Sequence, residues 1–388
     1  MITGHPGVQI VVTGIGLVCA LGDGLEPIWR RLLGSESAIA PGQPFPELPP
    51  RPLAQIGPTP ARLDQLLEPV VTSALKDAGL VPPLPDCGVV MGSSRAHQGQ
   101  LEQLARQFCQ TPPRDDGNWG RNWLDLLPHT PAIATARQIG GTGPVMAPMA
   151  ACATGIWAIA QGVELIRTGQ CQQVLVGAVE APITPLALTG FTQMSAYAKT
   201  GCYPFDRYRE GLVLGEAAAV LVLESADFAH QRGAKKIYGK ILGFGITNDA
   251  RYANAPDQEA TAAIAAVEQC LRRSQLHPSE IDYIHAHGTS THLNDCTEAK
   301  LIASLFPQGV PVSSTKGATG HSLGASGALG AAFCLLAMRD RCLPPCVGLT
   351  VPEFDLDFVR RSRQIPVNRT LCFSFGFGGQ NAVLALGQ

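Results

Sequence analysis

The sequence predicts an α/β protein made of two successive halves, and three observations carry that expectation. At 388 residues and 45% apolar content, the chain holds enough material for more than one compact core. Short β-branched runs alternate with amphipathic segments in two sets along the chain. Residues 138–163 and 317–338 carry no Asp, Glu, Lys or Arg and read as helices buried on all sides, each fed by a glycine-rich loop.

Taken in order, "GVQIVVTGIG" is the first strand. It is as apolar as a signal-peptide core, but no Lys or Arg precedes it, so no targeting segment is expected. Residues 62–78 follow as an amphipathic helix and "CGVVMGS" as a strand. Residues 138–163 are long enough to be tested as a membrane span, yet Gly140, Gly141, Gly143, Pro144 and Pro148 crowd their start. The strands "QQVLVGAVE" and "AAAVLVLES" complete the first half, residues 1–230. The second half, residues 231–388, brings "KIYGKILGFG", a helix over 260–275, "IDYIHAHG", "VPVSSTKG", the uncharged stretch opening with "GATGHSLGASGALG", and "LCFSFGFGG". No stretch of linker composition separates the halves, so they should share one packed body.

Charge and cysteine usage exclude several classes. With 29 basic against 31 acidic side chains, no field favours nucleic acid or an anionic membrane, and neither partner is expected. Charged residues make up only 15% of the chain, against about a quarter ordinarily, which predicts a surface partly covered by another subunit. Twelve cysteines are scattered without a CxxC pair, which argues against a metal cluster or a disulfide framework and for reduced thiols in a cytosol or an organelle stroma, of which the cytoplasm is the expected location. No metal and no cofactor is expected.

The chemistry centres on "MAACATGIW". Cys152 follows a Gly/Pro-rich segment and precedes an apolar helical run, so it should sit at a helix N-terminus, where unpaired amides and the dipole lower a thiol pKa. His287 in "HAHGTSTHLND" and His321 in "TKGATGHSLGASG" follow strand-like runs, at the carboxyl ends where such sheets present functional groups. Lys316 stands at the mouth of an uncharged segment and needs a partner, with Glu298, or Asp295 on the preceding loop, available.

Together "ACATG", "HGTSTHLND", "TKGATGHSLGASG", "PFDRYREGLVLGEAA" and "FSFGFGGQN" resemble the elongating β-ketoacyl-acyl-carrier-protein synthases, in that family's order and over nearly the whole chain. The resemblance implies a thiolase fold of two βαβαβαββ halves in a five-layered α/β/α/β/α body. It also implies a decarboxylative Claisen condensation between an acyl chain on Cys152 and malonyl-acyl-carrier protein, giving the 3-oxoacyl product of fatty acid or polyketide synthesis. His287 and His321 would bind the malonyl thioester and promote decarboxylation, and Lys316, held by Glu298, would order their surroundings with Asp295 in support. The backbone amides of Cys152 and Phe377 would form a second oxyanion hole, Phe377 would also gate the site, and Thr289, Thr291 and Phe375 would touch the substrate arm. The implied partners are an acyl carrier protein bearing acyl and malonyl phosphopantetheine and a second subunit, identical or a related ketosynthase chain.

The chain departs from the family pattern at Trp157, where relatives commonly have His, and at "THLND", where His292 and Asn294 replace Pro and Gly. Residues 95–135 have no family counterpart, and carrier docking falls to Arg30, Arg31, Lys199, Arg207 or Arg209. Three other readings compete. A papain-like hydrolase leaves the second His and the Lys unexplained, and a degradative thiolase needs a second cysteine that Cys372 is misplaced to supply. A ketosynthase-like partner subunit with little condensing activity would be expected to lack Cys152.

Overall fold

The computed structural model describes residues 7–110, 123–253 and 255–388. Residues 111–122, within the segment 95–135 expected to lack a family counterpart, lie outside the described residues. The strands of the principal sheet are β1 (Ile10–Cys19), β2 (Gly88–Gly92), β3 (Val145–Met146), β4 (Gln173–Glu180) and β5 (Ala217–Ser225) in the first half of the chain. In the second they are β6 (Gly239–Asn248), β7 (Tyr283–His285), β8 (Val312–Ser313), β9 (Arg369–Gly376) and β10 (Gln380–Gly387). The helices that position the site are α1 (Leu63–Ala78), α2 (Thr130–Ile139), α3 (Thr154–Arg167), α4 (Pro185–Gln193), α5 (Thr261–Ser274), α6 (His292–Leu305) and α7 (Ser326–Asp340).

The strand order is β8-β7-β9-β10-β6-β1-β5-β4-β2-β3, so one topology occurs twice. In the first half β1 pairs antiparallel with β5 and β5 with β4, then β4 runs parallel to β2 and β2 to β3. In the second, β6 pairs antiparallel with β10 and β10 with β9, then β9 runs parallel to β7 and β7 to β8. The two halves join where β1 and β6 pair over three residues, Ile10 opposite Ile241 through Val12 opposite Gly239.

The inner strands are apolar on both faces, which explains why they read as continuous hydrophobic runs rather than alternating ones. Along β5, Ala217, Ala219, Leu221 and Leu223 face one core while Ala218, Val220 and Val222 face another. The second core is closed by α1 and α2. In the second half, α5 and α6 cover Leu371, Val383 and Ala385. Both halves turn their remaining faces to α3 and α7, whose buried residues share a single core with Leu221 and Leu223 of one half and Leu384 and Leu386 of the other. The result is five layers, helix, sheet, helix, sheet, helix, as the resemblance implies. α3 and α7 are buried nearly all round, which explains the two uncharged stretches.

Of the ten strands named above, two escape the sequence reading. β3 is only two residues long and lies inside a stretch read as a loop. β10 forms a hairpin with β9, and Gly378 (φ +78°) and Gly379 (φ +71°) make the turn that splits residues 370–388, a third run without Asp, Glu, Lys or Arg, in two.

The central helices cross almost backbone to backbone. A Cβ on Gly155 would fall 2.5 Å from the backbone nitrogen of Ala328, and one on Gly327 would fall 3.1 Å from that of Ile156. Gly155→Ala should therefore destabilise the protein by about 1–3 kcal/mol, the usual cost of overpacking. Gly190→Ala, where a Cβ meets nothing within 4 Å, should be neutral or stabilising. Urea denaturation of the two variants checks the crossing, and equal stabilities would contradict it.

Candidate active site

Cys152 sits at the turn between β3 and α3. Ala153 caps the helix, so the Cys152 thiol precedes the first helical residue by two positions rather than lying on the helix. The turn is pinned from several sides. Ala151 adopts φ +47°, the Thr154 hydroxyl accepts from the Ala150 amide (2.9 Å) and donates to the Ala151 carbonyl (2.7 Å), and the Ser374 hydroxyl donates to the Cys152 carbonyl (2.7 Å). Gly376 lies so close above that a Cβ there would be 3.0 Å from the Cys152 nitrogen. The Phe377 backbone N–H reaches the Cys152 sulfur.

The imidazoles come from the second half. His287 follows β7, and its carbonyl accepts from the Lys316 ammonium. His321 follows β8 and the short helix Lys316–Thr319. Its amide donates to the Val213 carbonyl (2.6 Å), while its own carbonyl accepts from the Gly215 amide (3.1 Å). The rings stand nearly perpendicular at 5.3 Å, and one nitrogen of each lies with the Cys152 sulfur in a cluster whose members are all within 4.8 Å of one another. His321 Nδ1 is 2.9 Å from the Ser326 hydroxyl. Lys316 Nζ is 3.5 Å from His287 Nδ1 and offers only donors, so the hydrogen of His287 belongs on Nε2.

The cluster forms the floor of a cavity of about 260 Å³. Thr289 and Thr291, with hydroxyls 2.9 Å apart, share its wall with Phe375 and Phe377. Phe377 stacks on Phe191 of α4 at 6.1 Å. All the residues expected to handle substrate thus line one cavity or its immediate support.

Burial dominates the electrostatics. It holds both histidines well below the ordinary imidazole range, with the Lys316 charge acting in the same direction, so both rings are neutral at pH 7. Burial also lowers Lys316, against the opposing pull of Glu298.

Four expectations are corrected. Burial pushes the Cys152 thiol up to about 11, and Lys316, Arg95 and the Phe377 amide only partly offset it, so the resting group is a thiol rather than the thiolate expected of a helix terminus. Glu298 makes no ion pair with Lys316 among the described residues. Its oxygens accept from the backbone amides of His287 (2.6 Å) and Gly288 (2.7 Å), and burial still raises it to about 7. Asp295 lies on α6 rather than on the preceding loop, fully buried 3.6 Å from Arg209. Arg209 is itself buried between Asp295 and Glu353, which removes it from the docking surface.

The sequence reading missed residues whose role is to support others. Glu180 ends β4 fully buried, accepts from the Ser93 hydroxyl (3.3 Å) and the Ser94 amide, and is pushed up to about 7. A lone carboxylate closing the run "QQVLVGAV" was its signal. Asn294 donates to both Asp295 (3.1 Å) and Glu298 (3.2 Å), which gives the atypical residue of "THLND" a place behind the site.

The beta-ketoacyl synthase N-terminal domain matches residues 61–229 and the C-terminal domain residues 238–350. A mitochondrial 3-oxoacyl-[acyl-carrier-protein] synthase from Arabidopsis thaliana is 31% identical, with 98% of this chain and 93% of the relative covered. The 3-oxoacyl-[acyl-carrier-protein] synthase 2 of Staphylococcus aureus is 35% identical over 76% of each chain. Among solved structures, a type II polyketide ketosynthase in complex with its acyl-carrier protein superposes with a TM-score of 0.91 at 26% identity. A beta-ketoacyl synthase from Burkholderia phymatum does so at 0.89 and 28%. Each comparison covers 98% of this chain and 99% of the other.

The raised thiol has a direct consequence. Alkylation of Cys152 by iodoacetamide should climb about tenfold per pH unit from pH 7 to pH 10, following the thiolate fraction. Peptide mass spectrometry along that series checks it, and a plateau already reached by pH 8 would show that the helix terminus outweighs burial.

Proposed function

The chain belongs to the beta-ketoacyl synthase family and has the thiolase fold, and from that premise we propose that it condenses an acyl chain held on Cys152 with malonyl-acyl-carrier protein to give a 3-oxoacyl-acyl-carrier protein. The observation that carries this reading is the convergence of one thiol and two neutral imidazoles within 4.8 Å at the floor of one cavity.

In the first half-reaction the Cys152 sulfur attacks the acyl thioester, the carrier's C–S bond breaks, and the thiol proton leaves with the carrier's pantetheine thiol. The Phe377 N–H, which reaches the sulfur, stands where it can also stabilise the tetrahedral oxyanion. In the second, malonyl thioester loses CO₂ and its carbonyl oxygen gains the negative charge of an enolate. Two imidazole N–H groups fixed in a water-poor pocket stabilise that charge. The enolate carbon attacks the acyl carbonyl on Cys152, a C–C bond forms, the C–S bond breaks, and the departing thiolate takes up a proton, which its raised pKa favours.

Lys316 acts through His287, whose carbonyl and Nδ1 it faces, and Glu298 acts through the amides it anchors. Thr289, Thr291 and Phe375 line the path of the pantetheine arm. The exposed Arg30, Lys199 and Arg207 and the half-buried Arg31 remain for docking the carrier, and the Lys199 backbone is tied to Glu210 on the wall of the cavity. The N-terminal half, residues 1–230, supplies the nucleophile and residues 231–388 supply both histidines and the lysine. The retained thiol, seated against both imidazoles, favours a condensing enzyme over a partner subunit without that activity. Twelve free cysteines, most of them buried, suit the cytoplasm, and among the described residues no helix is long and apolar enough to cross a membrane.

β3 leaves an open sheet edge with Val145, Met146 and Met149 exposed, an apolar patch suited to a second subunit. Light scattering at micromolar concentration should therefore report a dimer, and a stable monomer would refute this. The half-reactions separate the roles. Cys152→Ala should abolish condensation yet leave malonyl-carrier decarboxylation measurable. His321→Ala and Lys316→Ala should depress CO₂ release, the former by on the order of a hundredfold to a thousandfold, the usual loss for one oxyanion donor, while Cys152 is still acylated. CO₂ release at the parental rate from His321→Ala would overturn the two-histidine mechanism.

A further inference from the structure

A serine in the first turn of a helix ordinarily turns its hydroxyl onto the helix's own backbone. Ser326, the first residue of α7, does not. Ala325 holds the cap position, and the Ser326 hydroxyl lies instead 2.9 Å from Nδ1 of His321, five residues back. The contact is buried, with Ser326 8% exposed and His321 1%. It is the only hydrogen bond that the hydroxyl makes among the described residues.

The direction of that bond follows from which atoms would otherwise lack partners. If Nδ1–H donated to the serine oxygen, the serine hydrogen would be a buried donor with no acceptor, and Nε2 would present a bare lone pair to the cavity. If the serine donates to Nδ1, its hydrogen is satisfied and the imidazole hydrogen moves to Nε2, the nitrogen left free to face the substrate. Neutral His321 can adopt either tautomer, so the hydroxyl decides.

We propose that Ser326 is a positioning residue that fixes His321 in its Nε2–H tautomer and so makes it a hydrogen-bond donor rather than a base. The inference rests on the proposed function, in which the malonyl thioester oxygen needs two donors. His287 receives its tautomer from the Lys316 ammonium, and His321 receives the same tautomer from a neutral hydroxyl. A second ammonium in that position would place another buried positive charge beside Lys316. With the opposite tautomer, His321 would aim a lone pair at the oxygen on which negative charge develops.

Nitrogen-15 NMR of histidine-labelled protein reads the tautomer directly. Wild-type His321, assigned by its loss in His321→Ala, should carry its hydrogen on Nε2 between pH 6 and pH 8, roughly the window in which a depressed imidazole stays neutral. Ser326→Ala should show a mixture of tautomers. Its malonyl-carrier CO₂ release, measured relative to acyl-Cys152 formation in the same preparation, should fall on the order of tenfold, the lower end of what removing an orienting partner from a functional imidazole costs. Ser326→Thr, which keeps the hydroxyl, should recover the wild-type tautomer and most of the release. A wild-type hydrogen on Nδ1 overturns the inference even if Ser326→Ala fails to fold, as does a Ser326→Ala protein with the parental tautomer and CO₂ release. A wild-type protein that releases no CO₂ would instead count against the proposed function, with the tautomer still decided by NMR.

Discussion

The close crossing of α3 and α7 is the constraint on which the rest of the structure depends. Gly155 lies three residues beyond Cys152, and Gly327 lies six beyond His321, so the point where the helices touch sets the distance between the two functional turns. Neither glycine is present for backbone freedom, since both sit within regular helix. Each is there because a methyl group would meet the other helix's backbone within about 3 Å. Larger residues at the crossing would push the halves apart, and a separation of even 1 Å would be felt in a thiol–imidazole cluster only 4.8 Å across.

Placing that cluster between two sheets removes it from water, and burial then raises the energy of every charged form. The protein answers with backbone rather than with ion pairs. Glu298 is held by two amides, Lys316 donates to a carbonyl, and both are still displaced toward neutrality. The groups nearest the reacting atoms, Cys152 and the two histidines, are all neutral at rest. In the proposed reaction, a thiol and two imidazoles that carry no charge at rest would accommodate an apolar acyl chain, and their hydrogen-bond donors would gain most when negative charge appears.

Much of this was legible in the sequence because burial leaves a compositional trace. Residues 138–163 and 317–338 stood out as uncharged helices, and the glycine-rich surroundings of Cys152, His287 and His321 marked them before any contact was known. The supporting contacts were not legible. Glu298 was paired with Lys316 because opposite charges suggest each other, whereas backbone amides, its actual partners, carry no signature in a sequence. Ser326 reads as an ordinary helix-start serine, and only its geometry shows which nitrogen it meets. The thiol value was misjudged for a related reason, since a helix terminus can be read from a sequence and the depth of its burial cannot. β3 was too short for any periodicity, and the hairpin into β10 hid behind two glycines.

The repeated topology explains why the site has two unlike components. Cys152 follows β3, the third strand of its half in chain order, and precedes central helix α3. His321 follows β8, the third strand of the other half, and precedes central helix α7. The two residues therefore occupy corresponding stations of one fold, brought face to face because their helices cross. The halves differ at these stations in what the turn does to its side chain. In the first, Gly376 closes down on the Cys152 turn, and burial keeps the sulfur protonated against the opposing influence of the Phe377 amide. In the second, the turn from 316 to 326 is long enough to contain both Lys316 and Ser326, which face one nitrogen of each imidazole and leave the other directed at the cavity. In the proposed condensation, one framework would thus hold an acceptor for the acyl chain and, across the helix crossing, the donors for the enolate that attacks it.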